Sequence, residues 1–124
     1  MLKNIKNWLV EHHKKIRFIL IIYFCILTWL LLRAPKGNKE FLKFMPLYND
    51  KLIHMLTFLG LSLLAKIAYP KKNQFLIIVL GTLYGIIIEF FQEYMKLGRT
   101  FEYSDMIADC LGCIIGAFIA KKIF

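Results

Sequence analysis

The sequence is poor in the features that mark the commoner soluble functions. Its three cysteines are an odd number and make no disulfide framework. It has no Walker loop and no G-x-G-x-x-G run, so no nucleotide cradle and no cofactor are expected. No Ser-His-Asp or Cys-His set stands at a workable spacing. Acidic residues are scarce, eight against 17 Lys and Arg, for a net charge of +9. A charge of that sign can mark a nucleic-acid binder. In a chain that is 59% hydrophobic, basic loops facing anionic lipid account for it better, and no nucleic-acid partner is expected. Sustained period-2 alternation is missing, which excludes a membrane barrel. With 124 residues there is room for one domain, and the apolar fraction exceeds the roughly 45–50% of a soluble one. What remains is a small integral membrane protein with membrane lipids as its surroundings.

Four apolar stretches are present: Ile16–Leu32, Leu52–Tyr69, Phe75–Phe91 and Asp105–Ala120. Each reaches roughly 24–27 Å as a helix, a little under a 30 Å hydrocarbon core, and snorkelling Arg17, Arg33, Lys121 and Lys122 make up the difference. Leu32-Arg33-Ala34-Pro35 contains no small-x-small cleavage site, so the first stretch is read as a mature helix and not a signal peptide. Before it, Leu2, Ile5, Leu9 and Ile16 recur at helical spacing among lysines. Residues 1–15 are thus expected to lie on an anionic leaflet as an interfacial amphipathic segment, with His12 and His13 as interfacial polar groups. Residues 16–124 are expected to form an all-α, four-helix transmembrane bundle. Pro70–Gln74 is a short turn that makes an antiparallel hairpin of the second and third spans. The connection over 33–51 is longer and broken by Pro35, Gly37 and Pro46; the one over 93–104 is broken by Gly98. The N-terminal flank, residues 66–74 and the C-terminus together carry ten Lys and Arg, the other two loops seven. That bias places both termini in the cytoplasm.

The polar residues near the span ends carry the chemistry. Asp50 and His54 open the second span, Glu89 and Gln92 close the third, Arg99 lies in the loop beyond, and Asp105 and Asp109 open the fourth. In four antiparallel spans all of these ends share one side of the membrane, the outer side when both termini are cytoplasmic. Gly81, Gly85 and Glu89 form one helical stripe, and Asp105, Asp109, Gly112 and Gly116 another. Small-xxx-small stripes are where membrane helices approach closely, so the carboxylates are aimed into the bundle. The expected cluster is His54, Glu89, Gln92, Arg99 and Asp105, with Asp50 and Asp109 at its edges. Arg99 is the natural carboxylate partner, and His54 can bridge to Asp50 or Glu89. Acid–arginine networks also lock membrane helices together. Here the acids outnumber the cations, which points to a proton, a cation, or a hydroxyl-rich or cationic ligand. Asp, Glu and His are suitable metal ligands, but the spacing matches no dedicated motif and no metal is assigned. Cys110-x-x-Cys113 sits in an apolar helix, and with Cys25 it is expected to serve packing. Ser62 is expected to bond its own helix backbone.

Asp50-Lys51-x-x-His54-x-x-x-Phe58, Gly85-x-x-x-Glu89-x-x-Gln92, Gly98-Arg99, and Asp105 with Gly112-x-x-x-Gly116 together resemble the VanZ-like family of bacterial membrane proteins, over about residues 48–120. One departure stands out: the family pattern usually carries Asn where this chain has Asp109. The resemblance implies a multi-pass protein of the bacterial cytoplasmic membrane. The family's founding member is associated with low-level resistance to teicoplanin, a lipid-tailed glycopeptide that acts at the outer face of the membrane. The function expected is binding or modification of a lipid-linked envelope component or a glycopeptide at that face, with Asp50, Gln92, Arg99, Asp105 and Asp109 as ligand-binding groups. The alternative is a membrane enzyme on a lipid-linked envelope precursor, with His54 and Glu89 as its acid–base pair and Arg99 holding an anionic group. A second alternative is a purely structural helix-packing partner. Transport would need an oligomer, because four helices make a thin wall.

Overall fold

The computed structural model describes residues 1–33, 50–94 and 103–123. They form five helices and no strand: α1 (Leu2–Glu11), α2 (His13–Arg33), α3 (Asp50–Ala68), α4 (Gln74–Tyr94) and α5 (Tyr103–Ile123). The all-α class is the expected one. The four long helices have 19 to 21 residues, and each outruns its apolar stretch by adding polar residues at its ends. Once a helix is nucleated, each added residue gains a hydrogen bond at little further cost. The connections containing Pro35, Gly37 and Pro46, and Gly98-Arg99, lie outside the described residues.

The expectation of four helices each apolar enough to cross a membrane needs correction in number. Among the described residues two helices have the length and hydropathy to cross a membrane: α2 over His13–Leu32 and α4 over Gln74–Phe91. In α3 the apolar run, Leu52–Ala68, is shorter. The physical reason lies in the bundle's centre. His54, Ser62 and Lys66 of α3 and Asp105 and Asp109 of α5 are all buried, as are Gly112 and Gly116 of α5. These two helices direct their polar and small residues at each other, which lowers their hydropathy without exposing polarity outward. The outward faces are apolar: Phe18 and Trp29 of α2, Leu80 and Phe90 of α4, and Ile107 and Phe118 of α5 are all more than half exposed. Soluble monomers rarely carry apolar surface on that scale; it suits a membrane environment.

Among the long helices, α3 and α5 share the most extensive contact, and α5 also packs on α4. Glycine makes both contacts possible. A Cβ on Gly112 would run into the Met55 carbonyl oxygen, and one on Gly116 into the Leu59 carbonyl oxygen and Ser62 Oγ. On α4, a Cβ at Gly81 would stand 2.5 Å from Cys113 Sγ. Helix α2 joins the bundle through Tyr23, whose hydroxyl donates to the Thr57 carbonyl at 2.6 Å; Gly60 leaves the room for that ring.

Two apolar clusters form the core. Ile16, Ile67, Ala68 and Ala120 gather the start of α2 with the ends of α3 and α5. Leu27, Leu31, Phe58, Leu61, Ile88 and Cys113 fill the middle. The hairpin between α3 and α4 is held from within. Asn73 caps α4 by accepting the Phe75 N–H at 2.9 Å. The buried Lys66 ammonium donates to the carbonyls of Pro70 at 3.0 Å and Lys72 at 2.7 Å. Arg17 Nε donates to the Ala68 carbonyl at 3.1 Å, and its guanidinium lies 4.4 Å over the Tyr69 ring. No residue of α1 is buried, although Leu9 leans on the first apolar cluster. His12 and His13 turn their Nδ1 atoms to the carbonyls of Trp8 and Val10, at 2.8 and 2.7 Å, and so close the end of α1 locally.

The two glycine contacts differ in what can yield. At Gly112 the obstruction is backbone of α3; at Gly81 it is one sulfur atom of a side chain. Gly112→Ala is expected to lose about 1–3 kcal/mol of stability, and Gly81→Ala clearly less. Thermal unfolding in detergent checks the ranking, and equal losses would count against it.

Candidate functional site

Three helices bring four ionisable side chains to one end of the bundle. His54 comes from the second turn of α3, Glu89 from the last third of α4, and Asp105 and Asp109 from the first two turns of α5. All four are at least 97% buried. His54 Nδ1 lies 2.8 Å from Asp109 Oδ1. With Asp109 as a carboxylate, Nδ1–H is the donor, and a neutral ring then keeps Nε2 as an acceptor. One ring nitrogen of His54 and one carboxylate oxygen each of Glu89 and Asp105 lie within 4.8 Å of one another. Among the described residues these three are the set that could hold a metal ion, by donor types that suit a divalent cation.

The surroundings fix these positions. A Cβ on Gly85 would be 2.6 Å from Asp109 Oδ2 and 3.1 Å from Asp109 Cβ, so the glycine opens the gap between α4 and α5 that Asp109 fills. Asp105 lies in the first turn of α5, where a carboxylate meets the positive end of the helix dipole. One turn below His54, the Phe58 ring stacks at 6.5 Å between centroids and 11° between planes. Tyr84 packs on Phe58 at 5.7 Å. Thr28 already donates its hydroxyl proton to the Phe24 carbonyl, so Tyr84 is the donor in their 2.5 Å contact. An aromatic floor thus separates the polar cluster from the rest of the bundle.

Of the residues the sequence points to, the structure brings His54, Glu89, Asp105 and Asp109 together. Asp109, expected at the edge, is the direct partner of His54, a place the spacing assigns to Asp50 or Glu89. Asp50 opens α3 and Gln92 lies in the last turn of α4; their side chains, and Arg99 altogether, fall outside the described residues. Tyr84 and Thr28 carry no sequence signal beyond being isolated hydroxyls in apolar helices. Ser62 donates to the Leu59 carbonyl of its own helix at 3.2 Å. The cysteines are free: Cys113 is buried against Gly81, Cys110 is half-buried, and Cys25 is exposed instead of packed.

A protein-family model described as VanZ/LLP1 matches residues 3–124. The chain belongs to the VanZ/LLP1 family. The match takes in α1 and α2, well beyond the stretch that carries the motifs. No curated protein and no solved structure matches the chain. Membership of VanZ/LLP1, with two helices able to cross a bilayer, makes this a membrane protein. The departure from the VanZ-like pattern at Asp109 falls on the His54 contact itself. An asparagine there would still present an oxygen to Nδ1–H, so the geometry of the pair does not require the charge.

The pair sets an energetic test. His54→Leu leaves Asp109 buried without its donor and is expected to cost about 3–5 kcal/mol. Asp109→Leu added to that variant should restore most of the loss, and Asp109→Asn alone should stay close to the parent. A double-mutant cycle by thermal unfolding in detergent measures the coupling; simple additivity would show that the two side chains do not depend on each other.

Proposed function

We propose that this VanZ/LLP1 protein binds or modifies a lipid-linked envelope component, or a lipid-tailed glycopeptide, at the outer face of the bacterial cytoplasmic membrane. The observation that carries the proposal is the buried His54–Asp109 pair, with Glu89 and Asp105 beside it, at one end of α3, α4 and α5. Ionisable groups inside a membrane bundle are costly to keep and tend to mark function. In the proposed topology α3 and α5 cross with α2 and α4, their polar faces satisfied against each other. Residues 1–15 lie along the inner leaflet, residues 16–124 form the spanning domain, and both termini are cytoplasmic under the positive-inside rule. The polar cluster then faces outward, with Asp50, Gln92 and Arg99 as further ligand-binding groups. Carboxylates at such a site accept hydrogen bonds from sugar hydroxyls or ammonium groups of a headgroup.

The His54–Asp109 contact also favours a second reading, a membrane enzyme on a lipid-linked precursor. A carboxylate on Nδ1 fixes the ring tautomer and leaves Nε2 to take a proton. Glu89 is the acid–base partner of His54 in that reading, and Arg99 holds an anionic group of the substrate.

Lipid-linked precursor pools, compared by mass spectrometry in a deletion strain, test the proposal. Wild-type protein should restore the pools, while folded His54→Gln and Glu89→Gln proteins should not. An accumulated species identifies an enzyme's substrate; unchanged pools with retained ligand binding favour the binding role. Full restoration by both variants would reduce the cluster to a helix lock and overturn the proposal. A Lys72→Cys protein should resist an impermeant maleimide added from outside, and outside labelling would reverse the orientation.

A further inference from the structure

A cavity of about 450 Å³ opens between α2 and α4, floored by α3. It lies away from the carboxylate cluster, and its size is that of a pocket for a single small ligand. Leu20, Phe24, Leu61, Ala65, Leu76 and Leu80 are among the residues of its apolar wall. Along α4 it runs from Leu76 to Tyr84, about 12 Å at the helical rise. The Tyr84 contacts with Phe24 and Thr28 bridge α4 to α2 at that end. At the other end stand Tyr69 and Lys72.

The charge at this second end is one-sided. Lys72 lines the opening, and Arg17 is held beside it by its contacts with Ala68 and the Tyr69 ring. Lys66 fixes the turn through the Pro70 and Lys72 carbonyls, which sets where the Lys72 side chain begins. The apolar cluster of Ile16, Ile67, Ala68 and Ala120 gathers the start of α2 and the ends of α3 and α5 here. The segments meeting at this end hold ten of the chain's Lys and Arg and one acid, Glu11. An apolar slot with a cationic mouth, between the two helices most suited to a bilayer, complements an amphiphile with an anionic head.

We propose that this groove is a lipid subsite, in which one acyl chain of an anionic phospholipid lies along Leu76–Tyr84 with its phosphate against Lys72 and Arg17. An open apolar slot facing hydrocarbon forfeits dispersion contacts that an acyl chain restores. Basic residues at the membrane surface select for anionic headgroups. The subsite is independent of the ligand proposed for the His54 cluster.

Native mass spectrometry of the detergent-solubilised protein, with phosphatidylglycerol or phosphatidylcholine of identical chains, tests this. One phosphatidylglycerol should be retained per chain, preferred roughly five-fold for each cation engaged. Ala65→Phe fills the groove and should abolish retention of both lipids. Lys72→Gln changes only an exposed side chain at the mouth and should lower phosphatidylglycerol several-fold while leaving phosphatidylcholine unchanged. Equal retention of the two lipids by the parent protein would overturn the proposal. So would undiminished phosphatidylglycerol on folded Ala65→Phe, or on Lys72→Gln. A dimer that Ala65→Phe converts to monomer with the lipid count unchanged would make the occupant a second copy of the chain and overturn it as well.

Discussion

The backbone-to-backbone approach of α5 to α3 at Gly112 and Gly116 decides where the polar groups go. Asp109 lies one turn before Gly112 on α5, and His54 immediately precedes Met55, whose carbonyl occupies the place of the missing Gly112 Cβ. The helix separation that glycine permits is therefore the separation at which a short Asp side chain reaches an imidazole at 2.8 Å. A wider gap would leave two desolvated groups facing each other across a void, at a cost in unmade hydrogen bonds. Gly85 performs the matching service on α4 by clearing the other side of Asp109. The two glycine stripes and the carboxylates they carry form one device.

With the polar groups assigned to the inside, the outside is free to be apolar, and the remaining polar contacts hold helix ends and crossings. Tyr23 ties α2 to a backbone carbonyl of α3. Tyr84 ties α4 to Thr28 of α2. Arg17 and Lys66 satisfy carbonyls where α3 ends and the turn begins. Orphaned carbonyls at helix ends are expensive away from water, and long basic side chains reach them while their stems stay in apolar surroundings.

The order of elements could be read from the sequence because apolar runs and turn residues are local signals. The turn expected over Pro70–Gln74 separates α3 from α4, with Gln74 itself already opening α4, and the basic, periodic start of the chain becomes α1. The number of helices apolar enough for a bilayer could not be read in the same way, since residues such as Gly112 and Asp109 lower hydropathy without revealing that they face α3. The convergence of His54, Glu89 and Asp105 follows from antiparallel spans with their polar ends on one side. The pairing of His54 with Asp109 does not, because it depends on a helix crossing between residues 55 apart. Spacing along one helix places Asp105 and Asp109 on the same face and cannot tell which of them meets the imidazole. The apolar groove left no trace either; Ala65 and Leu80 look like any other core residues until α2 and α4 are seen to diverge around them.

Among the described residues, charge is placed unevenly along the bundle. The segments that meet at the Lys66 turn hold ten cations and Glu11; the rest of the chain holds seven cations and the other seven acids. Those segments alone thus carry a formal charge of +9, equal to that of the whole chain. A potential of 100 mV acts with about 2.3 kcal/mol on each elementary charge carried across a membrane. In the proposed topology, with the basic end inside, an energised, inside-negative membrane resists inversion by an amount that grows with every cation at that end. The proposed orientation would be held by the cell's own electrical gradient as well as by lipid.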